Sequence, residues 1–282
     1  MQQESNTMNQ TVAFLGAGNM AGAIIGGLIE SGMAADNITA TSPDSAAQDA
    51  VREKYGIHSH ADNQKAAESA DILVLAVKPQ ILKAVCEPLK GAIQARESAP
   101  LIISVAAGIL GENIDTWLGG GLPIVRCMPN TPALVRAGAS VLWANDRVSD
   151  DQRTSAGELL GAVGRVEWIE RESLMDAVTA VSGSGPAYFF QIFEAMEEAG
   201  VNLGLPRDTA RRLALQTGFG AASMALASDE SPAQLKKNVM SPNGSTEQAV
   251  MSFEAAGLAE IFERAMIACA NRAHEMQTEF SS

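Results

Sequence analysis

Thr11-Val12-Ala13-Phe14-Leu15-Gly16-Ala17-Gly18-Asn19-Met20-Ala21 decides the fold of this 282-residue chain. Thr11 to Leu15 is an apolar run with strand propensity, and the glycines follow it without a gap. Ala23-Ile24-Ile25-Gly26-Gly27-Leu28-Ile29 then reads as a tightly packed helix. Strand, glycine turn and helix, in that order, are the context in which a G-x-G-x-x-G/A string carries chemistry. Gly16 permits the sharp turn, Gly18 lets the backbone approach a pyrophosphate, and Ala21 is the third small residue, for close helix–strand packing. The N-terminus of the helix offers unpaired N–H groups and a positive dipole end to phosphates. A plain structural glycine turn is the alternative; the context favours a dinucleotide fold.

Downstream, Ile38-Thr39-Ala40-Thr41 is a second strand, ending in Ser42-Pro43-Asp44. An NAD enzyme usually places an acid at this strand end for the ribose 2′-OH. Ser42 stands there instead and favours a 2′-phosphate, hence NADPH, while the nearby Asp44 keeps NADH open. An ordinary turn or helix cap is the competing reading of Ser42-Pro43-Asp44. Three continuous apolar runs follow, of the kind buried on both faces of a parallel sheet: Ile72 to Val77, Leu101 to Val105 and Ile124 to Met128. Their tails are Ala76-Val77-Lys78-Pro79, Ala106-Ala107-Gly108 and Met128-Pro129-Asn130-Thr131-Pro132. Helical stretches alternate with them, which implies right-handed crossovers and a mostly parallel sheet. Ligands bind beyond the carboxyl ends of such strands, so all three tails are expected to line one cleft with the glycine turn. For Lys78 a backbone role within its tetrapeptide is favoured over side-chain catalysis. Ser140 to Trp143, a helix from about Asp150 to Val163, and Val166 to Ile169 complete this domain.

From Glu172 onward helical periodicity takes over. Leu174, Ala177, Val178 and Val181 keep one face apolar, Ser182-Gly183-Ser184-Gly185-Pro186 interrupts the helix, and a further helix is expected from Pro186 to Gly200. Another runs from Leu205-Pro206 to about Ser228, and Leu258, Ile261, Phe262, Ala265, Met266 and Cys269 form a stripe on the last. So much apolar surface in a small helical domain is expected to be buried in part against a second subunit. The one irregular island is Val239-Met240-Ser241-Pro242-Asn243-Gly244-Ser245-Thr246. Pro-Asn-Gly signals a turn, and Ser245-Thr246-Glu247-Gln248 has the spacing of a capping box. The island is either a loop leading into a capped helix or a helix N-terminus suited to a small carboxylate.

Composition narrows the function. A formal charge of −13 without a basic stripe argues against nucleic acid and against an anionic membrane as partners. The first ten residues are polar and lack an apolar signal region, and no run is long enough for a membrane span. The three cysteines, Cys86, Cys127 and Cys269, are scattered among apolar neighbours and read as buried reduced thiols, which suits a cytoplasmic location. His58 and His60 lie near a loop, His274 is distant, and no ligand cluster for a metal is visible.

The strings GAGNMA, TSPD, AVKP, AAG, MPNTP, DAVTAVSGSGPAYFF and PAQLKKNVMSPNGST, in this order, resemble pyrroline-5-carboxylate reductase over nearly the whole chain. SGSGPAY followed by SPNGST is far more specific than the glycine fingerprint. The resemblance implies an N-terminal Rossmann domain and an all-α C-terminal dimerisation domain. The expected division is a polar tail at 1–10, a cofactor domain at 11–170 and a helical dimerisation and substrate domain at 171–282. It also implies the last step of proline biosynthesis, hydride transfer from NAD(P)H to 1-pyrroline-5-carboxylate, in homodimers often assembled into decamers. By motif, Leu15, Gly16, Ala17, Gly18, Asn19, Met20, Ser42, Asn63, Ala76, Val77, Lys78, Pro79, Val105, Ala106 and Ala107 would contact the cofactor. Val239, Ser241, Gly244, Ser245 and Thr246 would hold the substrate. Two departures stand out: Ala21 replaces the final glycine, and Asn243 stands where the loop commonly has glycine or lysine.

The chemistry fits a cleft without a histidine acid. Carbonyl reduction needs a proton for the developing alkoxide, whereas a protonated cyclic imine loses charge on hydride attack. Positioning then supplies most of the catalysis, with Thr246 hydrogen-bonded to the ring nitrogen. The rivals are a related NADP-dependent imine or 3-hydroxy acid oxidoreductase and a non-catalytic NADP-binding regulator. The 3-hydroxy acid type would normally carry a catalytic lysine in the first helix of the helical half, with a nearby Asn, and Lys236 and Lys237 lie elsewhere. In the second the substrate loop should have decayed.

Overall fold

The computed structural model describes residues 6–280. Eight strands form one sheet: β1 Val12–Leu15, β2 Ile38–Thr41, β3 His58–His60, β4 Ile72–Leu75, β5 Leu101–Ser104, β6 Ile124–Met128, β7 Gly138–Ala144 and β8 Gly164–Trp168. Their order is β3-β2-β1-β4-β5-β6-β7-β8, and every pair is parallel except β6–β7. Between them lie α1 Asn19–Glu30, α2 Ser45–Tyr55, α3 Asn63–Ser69, α4 Pro79–Cys86, α5 Lys90–Gln94, α6 Gly111–Leu118 and α7 Asp150–Gly161.

The apolar runs become two-faced strands because successive side chains point to opposite sides. Val12, Phe14, Ile72 and Val74 pack with Ile24, Ile25 and Leu28 of α1 and Leu159 and Leu160 of α7. Ala13, Leu15, Leu73 and Leu75 face the other way, onto Leu82, Ile93, Ile114 and Leu118. Both faces are thereby covered, and burying each large aliphatic side chain contributes about 1.5–3 kcal/mol. The segment between β6 and β7 holds only a short 3₁₀ turn, Thr131–Val135, and no crossover helix, so the chain returns antiparallel.

The helical half begins with a 3₁₀ turn at Glu172–Leu174 and α8 Met175–Val178. Then come α9 Gly185–Asn202, α10 Arg207–Leu226, α11 Pro232–Asn238, α12 Ser245–Ala255 and α13 Leu258–Phe280. Two compact units result: the described residues up to Ser184 together with those from Cys269 on, and Gly185–Ala268. The expected change of character near residue 170 and the division between compact units do not coincide, because 171–184 and the end of α13 group with the sheet. Within the second unit α9 packs on α10, and Glu197 is forked by Arg211 (Nε to Oε2, 2.7 Å) and Arg207 (Nη1 to Oε1, 2.9 Å). Phe189, Phe190, Leu215, Phe219, Met224 and Leu226 of this helix pair are exposed.

Several local expectations are corrected. β3 was not anticipated: a three-residue polar edge strand has no apolar run to mark it, and it consists of His58, Ser59 and His60. The interruption expected at Ser182–Pro186 falls at Ser184, and the chain before it widens into a π turn at Thr179–Gly183, closed by Ser184 N–H to Thr179 O at 2.8 Å, before α9 starts at Gly185. α9 continues through Gly200 to Asn202, where the closeness of Ala210 in α10 requires a small residue rather than a helix end. Residues 1–5 of the expected tail lie outside the described residues; Asn6–Asn9 form a 3₁₀ turn whose buried Thr7 hydroxyl donates to Ser155 Oγ at 3.2 Å. Cys86 and Cys127 are buried, but Cys269 is only half-buried, its Sγ 3.2 Å from Ser184 Oγ.

Candidate functional site

The strand ends meet at the switch point of the sheet, where the order reverses between β1 and β4. The register pairs Leu15 with Thr41 and with Leu75, and Leu75 with Ser104. Backbone bonds continue past these ends: Gly16 N–H to Thr41 O at 3.0 Å, Ala76 N–H to Leu15 O at 2.9 Å and Val105 N–H to Leu75 O at 3.1 Å. Leu15 to Met20, Ser42, Ala76 to Pro79 and Val105 to Ala107 are therefore brought to one edge of the sheet. Asn63 joins them, its Oδ1 accepting the Thr41 hydroxyl at 2.6 Å. In open parallel sheets this crevice is where ligands bind.

The two glycines of the turn differ in what they need. Gly16 has φ +112°, and a Cβ on it would lie 2.5 Å from Ala76 O, so its constraint is internal to the protein. Gly18 has φ −78°, and a Cβ there would meet no atom within 4 Å. What Gly18 keeps open is space above the backbone. It is the N-cap of α1 with no side-chain cap, and the first intrahelical bond is Gly22 N–H to Gly18 O at 2.9 Å. The N–H groups of Asn19, Met20 and Ala21 thus form an uncapped positive end, while the Ala21 side chain is buried in the core. An acceptor-rich, doubly charged group such as a pyrophosphate fits this cradle.

At the end of β2, Ser42 donates its N–H to His60 O at 3.2 Å, and its Oγ accepts the Asp44 N–H at 3.2 Å. Gln48 Nε2 holds the turn through Ser42 O at 2.7 Å. Asp44 is the N-cap of α2, its Oδ1 accepting the Ala46 N–H at 2.9 Å. The helix-cap reading therefore holds for Asp44 and leaves the Ser42 hydroxyl proton free to donate. Lys78 is exposed at the N-cap position of α4, followed by Pro79 in the first turn, and its carbonyl accepts the Ile81 N–H at 3.1 Å.

Residue roles not singled out from sequence appear beside these ends. Asn130, nearly buried, donates from Nδ2 to Ser182 O at 3.0 Å and accepts the Ala139 N–H at 2.9 Å, tying β6, β7 and the π turn together. Arg126, in the middle of an apolar strand, is buried and pairs with Glu172 at 2.8 Å; the same carboxylate oxygen accepts the Gly111 N–H at 2.7 Å. The signal for this pair was a charged residue in a two-faced strand, which needs a partner when buried. Burial pushes the thiols of both Cys86 and Cys127 up to about 12, so neither is a thiolate nucleophile at neutral pH. Among the described residues no group of three His, Cys, Asp or Glu side chains is placed to hold a metal ion, and no helix is long and apolar enough to cross a membrane.

The second candidate element lies in the other compact unit, between α11 and α12. Ser241-Pro242-Asn243-Gly244 is a tight turn closed by Gly244 N–H to Ser241 O at 2.8 Å. Asn243 has φ +59°, the left-handed conformation that a type II turn requires after proline and that asparagine tolerates. This accounts for asparagine where glycine is common. The capping box is not formed as its spacing suggests. Gly244, not Ser245, is the N-cap, with no side-chain cap, and Glu247 reaches back to the Asn243 N–H at 2.7 Å. Gln248 N–H to Gly244 O at 3.2 Å begins the helix, so the N–H groups of Ser245, Thr246 and Glu247 precede its ladder. Val239, Ser241, Ser245 and Thr246 are exposed along this turn, with Gly244 half-buried.

Comparisons with known proteins match two stretches of the chain. Residues 172–276 match the family model described as pyrroline-5-carboxylate reductase dimerisation, and residues 11–108 match that described as NADP oxidoreductase coenzyme F420-dependent. A pyrroline-5-carboxylate reductase of Pseudomonas aeruginosa is 49% identical over 265 residues, 94% of this chain and 96% of that one. The solved structure of a pyrroline-5-carboxylate reductase from Coxiella burnetii superposes with a TM-score of 0.91 at 45% identity, covering 95% of this chain and 98% of that one. That of the Plasmodium falciparum pyrroline carboxylate reductase, with NADP bound, gives 0.83 at 29% identity, covering 96% and 99%.

Proposed function

The chain belongs to the pyrroline-5-carboxylate reductase family and reduces 1-pyrroline-5-carboxylate with NAD(P)H, and we propose how its residues divide that work. The carrying observation is Gly18, open above the uncapped end of α1 at the switch point of the sheet. There Leu15 to Met20, Ala76 to Pro79 and Val105 to Ala107 hold the dinucleotide by backbone groups, with Asn63 steadying the Thr41 end. The bound cofactor supplies a hydride. Ser42 donates to the 2′-phosphate; this preference for NADPH is supported by Asp44, whose carboxylate is engaged on α2 rather than on a ribose hydroxyl.

The substrate carboxylate is taken by the N–H groups of Ser245, Thr246 and Glu247, which no side chain caps, with Val239, Ser241 and Gly244 shaping the ring's surroundings. The Thr246 hydroxyl holds the ring nitrogen. The protonated imine carries its positive charge before reaction, and hydride addition to its carbon removes that charge, so no oxyanion needs stabilising. Orientation by fixed backbone groups is what the residues then contribute.

Residues 11–170 serve the cofactor in this reading, and 171–282 serve substrate and dimerisation. The exposed apolar residues of α9 and α10 support burial in a homodimer. Assembly of dimers into decamers, a cytoplasmic location and a place in proline biosynthesis belong to the same proposal. The experiment is coenzyme oxidation followed by absorbance with DL-pyrroline-5-carboxylate, running NADPH and NADH in parallel. Turnover favouring NADPH supports the reading. Turnover favouring NADH removes the role of Ser42, and no turnover by protein that binds coenzyme removes the substrate assignment.

A further inference from the structure

We propose that His60 is a second determinant for the cofactor's 2′-phosphate, acting beside Ser42; this rests on the cofactor reading given above. The sequence places His60 well away from Ser42, and only the pairing of β3 with β2 joins them. The parallel register sets Thr41, the last residue of β2, opposite His60, the last of β3, and Ser42, one residue further on, donates its N–H to His60 O at 3.2 Å. Asp62 N–H donates to His60 Nδ1 at 3.2 Å, which folds the ring over the turn that follows β3. With Nδ1 accepting, the proton of the neutral ring sits on Nε2, on the opposite side of the imidazole. The side chain is half-exposed. Ser42 Oγ likewise already accepts, from Asp44 N–H, a bond that does not use its own proton.

The nearby carboxylates are engaged elsewhere. Asp44 accepts the Ala46 N–H at 2.9 Å, and Asp62 Oδ1 accepts the N–H groups of Gln64 (2.9 Å) and Lys65 (3.1 Å), each capping a helix. The ends of β2 and β3 therefore present donors from Ser42 and His60. A ribose 2′-OH is usually held by a carboxylate acceptor, whereas a phosphate accepts only. Donors from Ser42 and His60, with Asp44 and Asp62 each capping its own helix through Oδ1, favour the phosphate without an arginine.

The test is calorimetric titration of the full-length protein with adenosine 2′,5′-bisphosphate and, separately, adenosine 5′-monophosphate. Wild type is compared with His60→Ala and His60→Gln, both checked for an unchanged melting temperature. Loss of a hydrogen bond to a charged group lowers affinity about ten-fold. That loss is expected for His60→Ala with the bisphosphate only, and His60→Gln, which keeps an N–H donor, recovers part of it. Equal losses for both nucleotides would place the ring on the adenosine instead, and no loss would leave it without a role; either overturns the proposal. Failure of the wild type to bind the bisphosphate would overturn the cofactor reading itself.

Discussion

Replacing Gly16 and Gly18 by alanine, one at a time, separates a demand of the backbone from a demand of the ligand. At Gly16, φ of +112° is a region that L-residues rarely enter, at a cost of about 1–3 kcal/mol. The new Cβ would also stand 2.5 Å from Ala76 O, a backbone atom at the end of β4 that no rotamer change can move aside. Relieving that overlap costs a further 1–3 kcal/mol, roughly the scale of overpacking in a tight site. The sum, about 2–6 kcal/mol, lowers Tm by about 3–10 °C for a chain of this size, at about 2.1 cal/mol/K of unfolding entropy per residue. At Gly18, φ −78° and ψ −177° suit alanine, and its Cβ meets nothing within 4 Å. Alanine is a poorer N-cap than glycine by some tenths of a kcal/mol, while a stiffer unfolded chain returns about 0.4–1 kcal/mol. Stability is then nearly unchanged, but a methyl group stands where the pyrophosphate must approach, and NADPH affinity falls by roughly ten- to a hundred-fold. Scanning calorimetry without ligand and with saturating NADPH reads both effects. The reasoning is refuted if Gly18→Ala lowers the ligand-free Tm as much as Gly16→Ala does, or if it retains the full rise in Tm on adding NADPH.

Other outcomes follow from single contacts. Ser42→Asp sets a carboxylate against the 2′-phosphate, so the KM for NADPH is expected to rise about ten-fold or more while that for NADH holds or improves, read from initial rates with each coenzyme. Thr246→Ala should lower kcat/KM for pyrroline-5-carboxylate by about ten-fold and Thr246→Ser should restore most of it, since only the hydroxyl is invoked; wild-type kcat/KM in the alanine variant would discard the role. Arg126→Met leaves the Glu172 carboxylate with the Gly111 N–H alone and is expected to cost about 3 kcal/mol in urea unfolding, more than Glu172→Gln. Hydrogen bonds from Arg211 and then Arg207 hold the Glu197 carboxyl down to about 2 from its ordinary 4.5. A depressed carboxylate stabilises the fold fully above its unfolded pKa and loses that contribution as pH falls through the folded value. The stability difference between wild type and Glu197→Gln should therefore be constant above pH 4.5 and shrink toward pH 2; a difference unchanged over that window would count against the fork.

How much could be read in advance follows from how local each cause is. β2 and β6 match their expected bounds residue for residue, and β1, β4 and β5 lie within their apolar runs. Burial on both faces makes such runs continuous in sequence. β3 escaped because an edge strand of His58, Ser59 and His60 buries little, so composition does not mark it. The π turn at Thr179–Gly183 escaped because its cause is not local: Asn130, from the end of β6, holds Ser182 O. The capping pattern at Ser245 misled by one residue, since Ser, Thr and Glu spacing does not tell whether the chain will cap with a hydroxyl or with the bare Gly244.

The sequence by itself determined the elements with apolar runs or stripes, the glycine turn, the family resemblance and the identity of the loop around Asn243, because apolar periodicity and turn chemistry act over a few residues. Only the tertiary structure decided which strand ends stand level, that Asp44 serves α2 and leaves Ser42 to donate, that Arg126 is neutralised by Glu172, and that His60 stands beside Ser42. Those facts depend on register between segments distant in the chain, and register is set by packing of the whole sheet rather than by any stretch within it.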